Sequence, residues 1–314
     1  MRRKIAVILM LLVFSSFTAC GSTEKAVTIT YVKAPLNVPS VVEQEKGFFS
    51  DRFAPLHREV AYADLTSGSA QVQALESGDV QFLFAVGAPA LLTAAASGAQ
   101  VQILSAYCRA PEAYQIQTLD EGIRSAEDLR GKTIAGPKGS TLHELLCAYL
   151  ATAGLGITDV EFLPMDIAAA QTALLSGQVS AALLAGPNAY KAEQEGCRVL
   201  TDGTGLIQGT VFTAAARTLC EKQPELVEAF LAAQADCIAF LESDREEALE
   251  ITAAAVELPL EAVEAMYTQY DFQMTLLPED LTGLAATADF LLEAGMLTEP
   301  VDTQSLIWQQ ADVG

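Results

Sequence analysis

The chain has 314 residues, and its 40 acidic and 18 basic side chains give a formal net charge of −22 at pH 7. So acidic a chain repels nucleic acid and anionic membrane surfaces, which disfavours both as binding partners. Its length is enough to bury a core in one large domain or in two medium ones.

The first twenty residues have the pattern of an export signal. Basic residues at positions 2–4 precede an apolar stretch from Ile5 to Phe14, and small residues then lead to Cys20. This pattern resembles the bacterial lipoprotein signal. We therefore predict a signal peptide over 1–19, lipidation of Cys20 and a lipid-anchored linker over 20–26. A plain secretory peptide cut near Ala19 and an uncleaved anchor are the alternatives.

Strands and helices alternate in the following segment. Strands rich in apolar and β-branched residues are predicted over 26–33, 57–62, 80–86 and 101–107. Helices are predicted over 40–46, 66–76 and 89–97. Alternation of this kind is typical of an α/β fold with a mostly parallel sheet.

The same alternation then begins again. Extended segments are predicted over 114–118, 132–135, 160–163, 179–185 and 198–201, with helices over 142–153 and from Ile167. A returning strand over 210–216 is followed by a helical tail from Pro224, which we expect to pack on the first lobe. The predicted lobes are therefore 27–113 with 213–314, and 114–212.

A repeated stretch supports the two lobes. The sequence ALESGDV at Ala74–Val80 is nearly matched by ALLSGQV at Ala173–Val179, and each copy leads through an apolar run to a Gly/Pro turn. Each reads as a helix end, a buried strand and the start of another helix. Two similar lobes have a crevice between them, and ligand binding there is the first function to consider.

Candidate ligand-binding residues lie in five turns that connect a strand to a helix. Ligands bind at the carboxyl ends of parallel strands, where Gly, Ser, Thr and Asn offer amide and hydroxyl groups. The candidates are Leu36, Asn37 and Val38; Ser67 and Gly68; Gly87 and Ala88; Ser140 and Thr141; and Gly186 and Asn188. Thr141-Leu142-His143-Glu144 matches a capping box, so Ser140 and Thr141 could instead serve only as helix caps.

Motifs for catalysis and for metal binding are absent from the sequence. There are two histidines, and the five cysteines that follow Cys20 form no CxxC pair. We predict no catalytic residue, no metal and no cofactor, and hence no enzyme. Arg109 is a candidate partner for an anion, with an exposed surface charge as the alternative reading.

Several segments in their order along the chain resemble one family. These are VVEQEKGFF at 41–49, the stretch Ala74–Val80, DLRGKTIA at 128–135 and Gly139-Ser140-Thr141. Together they are similar to substrate-binding proteins of ABC importers, in the group that handles nitrate, taurine, alkanesulfonates and thiamine-pyrimidine precursors. The resemblance covers about residues 27–295. Ala185-Gly186-Pro187 departs from it, since many relatives have an aromatic or acidic residue before this proline.

The resemblance implies a type II periplasmic-binding-protein fold whose lobes close over a small ligand. A lipid-anchored monomer on the outer face of the cytoplasmic membrane would deliver that ligand to an ABC permease with its cytoplasmic ATPase. The expected ligand is a small anion such as a sulfonate, taurine or nitrate. The alternatives are a pyrimidine-like heterocycle, an enzyme on the same fold and a sensory module that works without a permease.

Overall fold

A computed structural model of the chain describes residues 26–32, 36–65 and 67–314. The predicted signal peptide, the lipidation of Cys20 and nearly all of the predicted linker lie outside these residues. Within the described part of the chain, no helix combines the length and the apolar character needed to cross a bilayer.

Within the described residues, ten strands form two sheets of five. The strands are β1 (Val27–Tyr31), β2 (Val60–Asp64), β3 (Phe82–Gly87), β4 (Val101–Arg109), β5 (Tyr114–Thr118), β6 (Thr133–Gly136), β7 (Glu161–Pro164), β8 (Ala181–Ala185), β9 (Arg198–Asp202) and β10 (Thr210–Ala216). The first sheet has the order β2-β1-β3-β10-β4 and the second the order β7-β6-β8-β5-β9. In each sheet four strands are parallel and one, β10 or β5, is antiparallel. The predicted two-lobe α/β fold is confirmed, with mixed sheets.

Helices flank both sheets, and those of the tail follow β10. They are α1 (Val38–Lys46), α2 (Phe48–Phe53), α3 (Gly68–Ser77), α4 (Ala88–Ala96), α5 (Thr141–Ala151), α6 (Ile167–Leu175), α7 (Gly186–Gln194), α8 (Arg217–Lys222), α9 (Pro224–Ser243), α10 (Arg245–Val256), α11 (Leu260–Tyr267) and α12 (Pro278–Glu293). We call each sheet with its helices a lobe, and the tail belongs by its packing to the first.

The two repeated stretches occupy equivalent places in the two lobes. Each ends a helix with a left-handed glycine, Gly78 (φ 78°) or Gly177 (φ 71°), a conformation that glycine adopts without steric cost. The Ala74 carbonyl accepts hydrogen bonds from the two residues after Gly78, and the Ala173 carbonyl does the same after Gly177. The strands that follow, β3 and β8, are both central in their sheets. The repeat therefore marks the same unit of each lobe.

The tail is joined to the first lobe through an aromatic cluster. The Phe230 ring of α9 stacks on Phe82 of β3, with 4.4 Å between ring centroids, and on Phe49 of α2, at 5.0 Å. All three side chains are fully buried. Offset and stacked aromatic pairs of this kind add to the free energy gained by burying their apolar area.

Several predicted boundaries differ from the structure by one to three residues; for example, β3, predicted from Val80, begins at Phe82. His57, expected to begin a strand, has left-handed backbone (φ 56°) and ends a short 3-10 helix, so β2 begins at Val60. Residues 210–212, predicted in the second lobe, begin β10 of the first sheet. The chain therefore returns to the first lobe before Thr210.

Glu43 is a buried carboxyl group that couples folding to pH. Its Oε1 accepts hydrogen bonds from the Phe49 N–H (2.8 Å) and the Tyr62 hydroxyl (3.0 Å), and the residue is 1% exposed. Burial is the main cause that raises its pKa from 4.5 to about 7. Between pH 4.5 and about pH 7, the Glu43 carboxyl is protonated in the folded protein but ionised in the unfolded chain. The free energy of unfolding therefore falls as pH rises through this range.

We expect Glu43→Gln to remove this pH dependence, because an amide at this position carries no charge at any pH. From pH 5 to pH 8, the free energy of unfolding of the wild type should fall by about 3 kcal/mol more than that of the variant. Urea unfolding of both proteins across this range measures the difference. Parallel stability curves for the two would show that Glu43 does not titrate as described.

Candidate functional site

The five predicted turns all connect a strand to a helix in the structure. They join β1 to α1, β2 to α3, β3 to α4, β6 to α5 and β8 to α7. Each helix therefore begins at the carboxyl end of a strand, where its free backbone N–H groups form a local region of positive potential. An acidic protein can thus present anion-binding groups without basic side chains.

In the first lobe, Ser67 and Gly68 have clear local roles. The Ser67 Oγ accepts a hydrogen bond from the Ala70 N–H (3.2 Å) and so caps α3. A Cβ atom at Gly68 would lie 2.6 Å from the Ala90 Cβ, so glycine permits the close packing of α3 on α4. Leu36, Asn37 and Val38 are buried where α1 begins.

In the second lobe, α5 begins one residue earlier than the predicted capping box requires. Ser140 is the N-cap, and its Oγ accepts from the His143 N–H at 3.4 Å. His143 therefore stands at the third helical position, where the box would need Glu144. The His143 Nδ1 accepts from the Gly139 N–H instead (3.2 Å). The predicted box is wrong, and the Glu144 carboxyl is left without a capping role.

The turns of α4 and α5 meet between the lobes. A Cβ atom built on Gly87 would lie 3.6 Å from the Thr141 Oγ1, so these two residues face each other directly. Ala88 and Thr141 line a cavity there together with residues from both lobes and from α12. The other lining residues are Glu144, Gln208, Gly209, Thr210, Phe212, Gly283, Leu284 and Thr287.

This interlobe cavity is small in the present arrangement of the lobes. Its volume is about 10 Å³, which is room for about one water molecule. The lobes also touch around it, since the Phe290 ring of α12 packs edge-on against His143, with 6.1 Å between centroids. A larger ligand could reach the turns of α4 and α5 only if the lobes moved apart.

The remaining candidates do not line this cavity. Gly186 opens α7 with left-handed backbone (φ 54°), and the Asn188 amide donates to the Gln171 side chain of α6 at 2.7 Å. Asn188 is therefore held within its own lobe. Of the eleven predicted site residues, the structure brings Gly87, Ala88 and Thr141 together and distributes the others over the neighbouring turns.

Two short crossings connect the lobes and run side by side. The Ala110 N–H donates to the Gly209 carbonyl (3.3 Å), and the Gly203 N–H donates to the Pro111 carbonyl (3.1 Å). A Cβ atom at Gly203 would lie 2.6 Å from the Pro111 oxygen, so a side chain cannot be placed there. The first crossing contains the 3-10 helix Pro111–Ala113, and the second, over 203–209, contains no helix or strand.

Arg109 does not serve as an anion site, nor is it an exposed charge. Its guanidinium makes two hydrogen bonds with the Asp280 carboxylate of α12, pairs with Asp271 and donates to two tail carbonyls. Asp280 is 1% exposed and also accepts from the Thr210 hydroxyl. Arg109 therefore ties the end of β4 to the tail.

The sequence offered no sign of what α12 contributes to the cavity. The Thr287 hydroxyl donates to the Glu144 Oε1 at 2.8 Å and so joins the tail to the second lobe. Burial is the main cause that raises the pKa of Glu144 from 4.5 to about 7. The sequence predicts a helical tail, but it does not show which residues of that tail face the second lobe.

Titratable groups beside the cavity are poorly suited to nucleophilic catalysis. Burial lowers the pKa of His143 to about 4 and raises the pKa of the Cys147 thiol to about 11. A thiol that stays protonated at neutral pH is a weak nucleophile. Among the residues that the structure describes, no group of His, Cys, Asp and Glu side chains could hold a metal ion.

Comparisons with known proteins agree with the two-lobe α/β fold. The chain is 29% identical over 312 residues to an Escherichia coli (strain K12) protein assigned to aliphatic sulfonate binding, covering 98% of this chain and 96% of the relative. The structure of this chain superposes on the alkanesulfonate-binding protein SsuA from Xanthomonas axonopodis pv. citri bound to MOPS with a TM-score of 0.81 and 25% sequence identity. The superposition covers 90% of this chain and 98% of that one.

The desulfurization enzyme DszB shares the fold, at 18% identity and a TM-score of 0.67, over 91% of this chain and 97% of that one. The fold by itself therefore does not distinguish binding proteins from enzymes. A family model described as NMT1/THI5 like matches residues 35–248, which is more than half of the chain. With its two-lobe fold and with full-length similarity to a binding protein, the chain belongs to the NMT1/THI5-like family.

Proposed function

We propose that this chain is the solute-binding lipoprotein of an ABC importer and that it captures a small sulfonate between its two lobes. The observation that carries the proposal is the meeting of the α4 and α5 N-termini from different lobes, with Gly87 facing Thr141. Amide groups from both sides can donate to the oxygens of one anionic head.

The pattern of small residues in this region supports a ligand that approaches the backbone closely. Gly87 and Ala88 leave the first turn of α4 open, and Ser140 and Thr141 add hydroxyl groups at the first turn of α5. We propose that these residues make the main contacts. Under this proposal, the turns that hold Leu36, Asn37 and Val38, Ser67 and Gly68, and Gly186 and Asn188 form the walls of the opened cleft.

Binding would involve closure of the lobes about the paired crossings. Contacts from both lobes favour the closed state, and that state is the form that a permease would recognise. The proposed lobes are 27–113 with 213–314, and 114–212, with the return to the first lobe placed before Thr210. Lipid on Cys20 would hold the protein on the outer face of the cytoplasmic membrane as a monomer.

Binding rather than catalysis is supported by the state of the nearby side chains. The Cys147 thiol has a pKa of about 11, and His143 stacks on Phe162 with 4.6 Å between ring centroids. Neither group is poised as a nucleophile or as a base at neutral pH. We therefore propose that the ligand leaves the protein unchanged.

Calorimetric titration of the purified protein with ethanesulfonate, nitrate and an aminopyrimidine tests the proposal. We expect saturable binding of ethanesulfonate, and Gly87→Val should weaken it by about a hundredfold, because a branched side chain would occupy the space between Gly87 and Thr141. Gly87 has φ −74°, so valine causes no backbone strain there.

Gly156→Val is the matched control, since Gly156 is exposed, lies outside the cleft and also has negative φ (−120°). It should leave binding unchanged. Binding of the pyrimidine without any sulfonate would favour the heterocycle alternative. Turnover of a sulfonate or sulfinate by the wild type would contradict the proposal and favour an enzyme.

A further inference from the structure

Ala85, near the end of β3, has left-handed backbone (φ 81°). An alanine in this conformation is strained, because its Cβ lies too close to the following carbonyl oxygen. The residue is buried and comes just before Gly87 and Ala88, which begin α4 at the proposed anion site. Backbone strain of this kind persists only where the surrounding contacts hold it in place.

Ala85 is the extra residue of a β-bulge. Phe212 and Thr213 are consecutive in β10, yet they pair with Val86 and Phe84 of β3, so Ala85 lies between two paired residues. A bulge bends its strand and changes the direction of the residues that follow. The direction in which β3 leads into α4 therefore depends on the conformation of Ala85.

Two buried side chains from neighbouring elements hold this bulge. The Gln71 Nε2 of α3 donates to the Ala85 carbonyl at 3.3 Å, and Gln71 is 2% exposed. The Phe84 N–H donates to the Thr30 Oγ1 of β1 at 2.7 Å. The backbone is thus fixed by a hydrogen bond at the left-handed residue itself and by another at the residue before it.

Packing alone does not explain a glutamine at position 71. The Gln71 Oε1 is buried, and no group in the described part of the chain donates a hydrogen bond to it. A buried amide oxygen without a donor is unfavourable, and methionine would fill a similar volume without this cost. The hydrogen bond to the Ala85 carbonyl is the contribution that glutamine makes and methionine cannot.

We propose that Gln71 is a positioning residue, which holds Ala85 in its left-handed conformation and so directs the first N–H groups of α4 into the cleft. Gln71 would act through Ala85 and would not touch the ligand. Molecules that lose this conformation would not bind, so the apparent affinity would fall with the fraction that keeps it. This inference rests on the proposed function and adds to it a residue that controls affinity from behind the contact residues.

Calorimetric titration of three variants with ethanesulfonate tests the inference. Gln71→Met should weaken binding about tenfold, because the strained conformation loses its hydrogen bond. Ala85→Gly should leave binding within about twofold of the wild type, since glycine adopts positive φ without steric cost. The double variant should recover binding to within about threefold of the wild type, because the strain that Gln71 offsets is gone.

Gln234→Met is the matched control. Gln234 of α9 is also buried, and its Nε2 donates to a carbonyl of the same sheet, that of Ala106 in β4, at 2.8 Å. Ala106 does not have the positive φ of Ala85. The control should lose stability, since it also loses a hydrogen bond from the Ser105 hydroxyl, but it should bind ethanesulfonate as tightly as the wild type.

The outcomes separate this inference from the proposed function. Failure of the wild type to bind ethanesulfonate would overturn both. Unchanged binding by Gln71→Met, an equal loss in Gln234→Met, or a loss that Ala85→Gly does not recover would overturn the role of Gln71 and leave sulfonate binding in place.

The double variant decides the matter if Gln71→Met does not fold. Recovery of both folding and binding in the double variant would support the role of Gln71 in holding Ala85. Failure of the double variant to fold would assign Gln71 to the stability of the lobe as a whole and would overturn the inference.

Discussion

Arg109→Met is expected to destabilise the protein by about 3–5 kcal/mol, since it leaves the buried Asp280 carboxylate without its cation. Asp280 would keep only its hydrogen bonds from the Thr210 hydroxyl (2.9 Å) and the Leu277 N–H (2.7 Å). The bond that is lost holds α12 to the first sheet, and α12 contributes Thr287 to the interlobe cavity. Chemical denaturation of the wild type and the variant measures the difference.

A second variant separates the buried charge from lost packing. In the double variant Arg109→Met with Asp280→Asn, no buried carboxylate is left without its cation, and Asp271 is half exposed to solvent. The double variant should therefore be less destabilised than the sum of the two single variants. If the stability changes of the two substitutions were strictly additive, Arg109 and Asp280 would not be coupled. That result would contradict the bidentate hydrogen bonding between them.

Phe230→Ala should cost about 3–5 kcal/mol, the usual range for removal of a fully buried aromatic side chain. Phe230 lies between Phe82 and Phe49 and also meets Phe84 edge-on, at 5.8 Å. Its loss would open a cavity where the tail joins β3 and α2. Unfolding by urea should show a lower midpoint with an unchanged slope, because the surface exposed on unfolding stays nearly the same.

Leu175→Ala serves as the comparison for Phe230→Ala. Leu175 ends α6 and is 38% exposed, so truncating it should change stability by no more than about 0.5 kcal/mol. A Phe230→Ala variant as stable as Leu175→Ala would mean that the tail does not pack on the first lobe as described.

The alternation of strands and helices could be read from the sequence because each element carries its own signal. Apolar runs predicted the buried strands β3 and β8, and Gly78 and Gly177 marked the helix ends before them. The repeat predicted two lobes, because the same local pattern occurs once in each of them. The five turns could then be predicted as ligand-binding turns, since a parallel sheet places the carboxyl ends of its strands at one edge.

The sequence could not predict contacts between residues that are far apart in the chain. Nor could it decide which of two adjacent residues with similar capping ability begins a helix. Ser140 and Thr141 can both cap a helix, and only the structure shows that Ser140 does so. Arg109 is bound to Asp280, 171 residues away, and no periodicity relates the two. Thr287 meets Glu144 because the tail folds back over both lobes.

The most direct test of sulfonate capture is a crystal structure of the protein grown with excess ethanesulfonate. We expect one sulfonate between the lobes, with its oxygens within hydrogen-bonding distance of backbone N–H groups at the starts of α4 and α5, near Ala88 and Thr141. Ligand bound elsewhere on the molecule, or bound in the cleft with its sulfonate turned away from both helix N-termini, would contradict it.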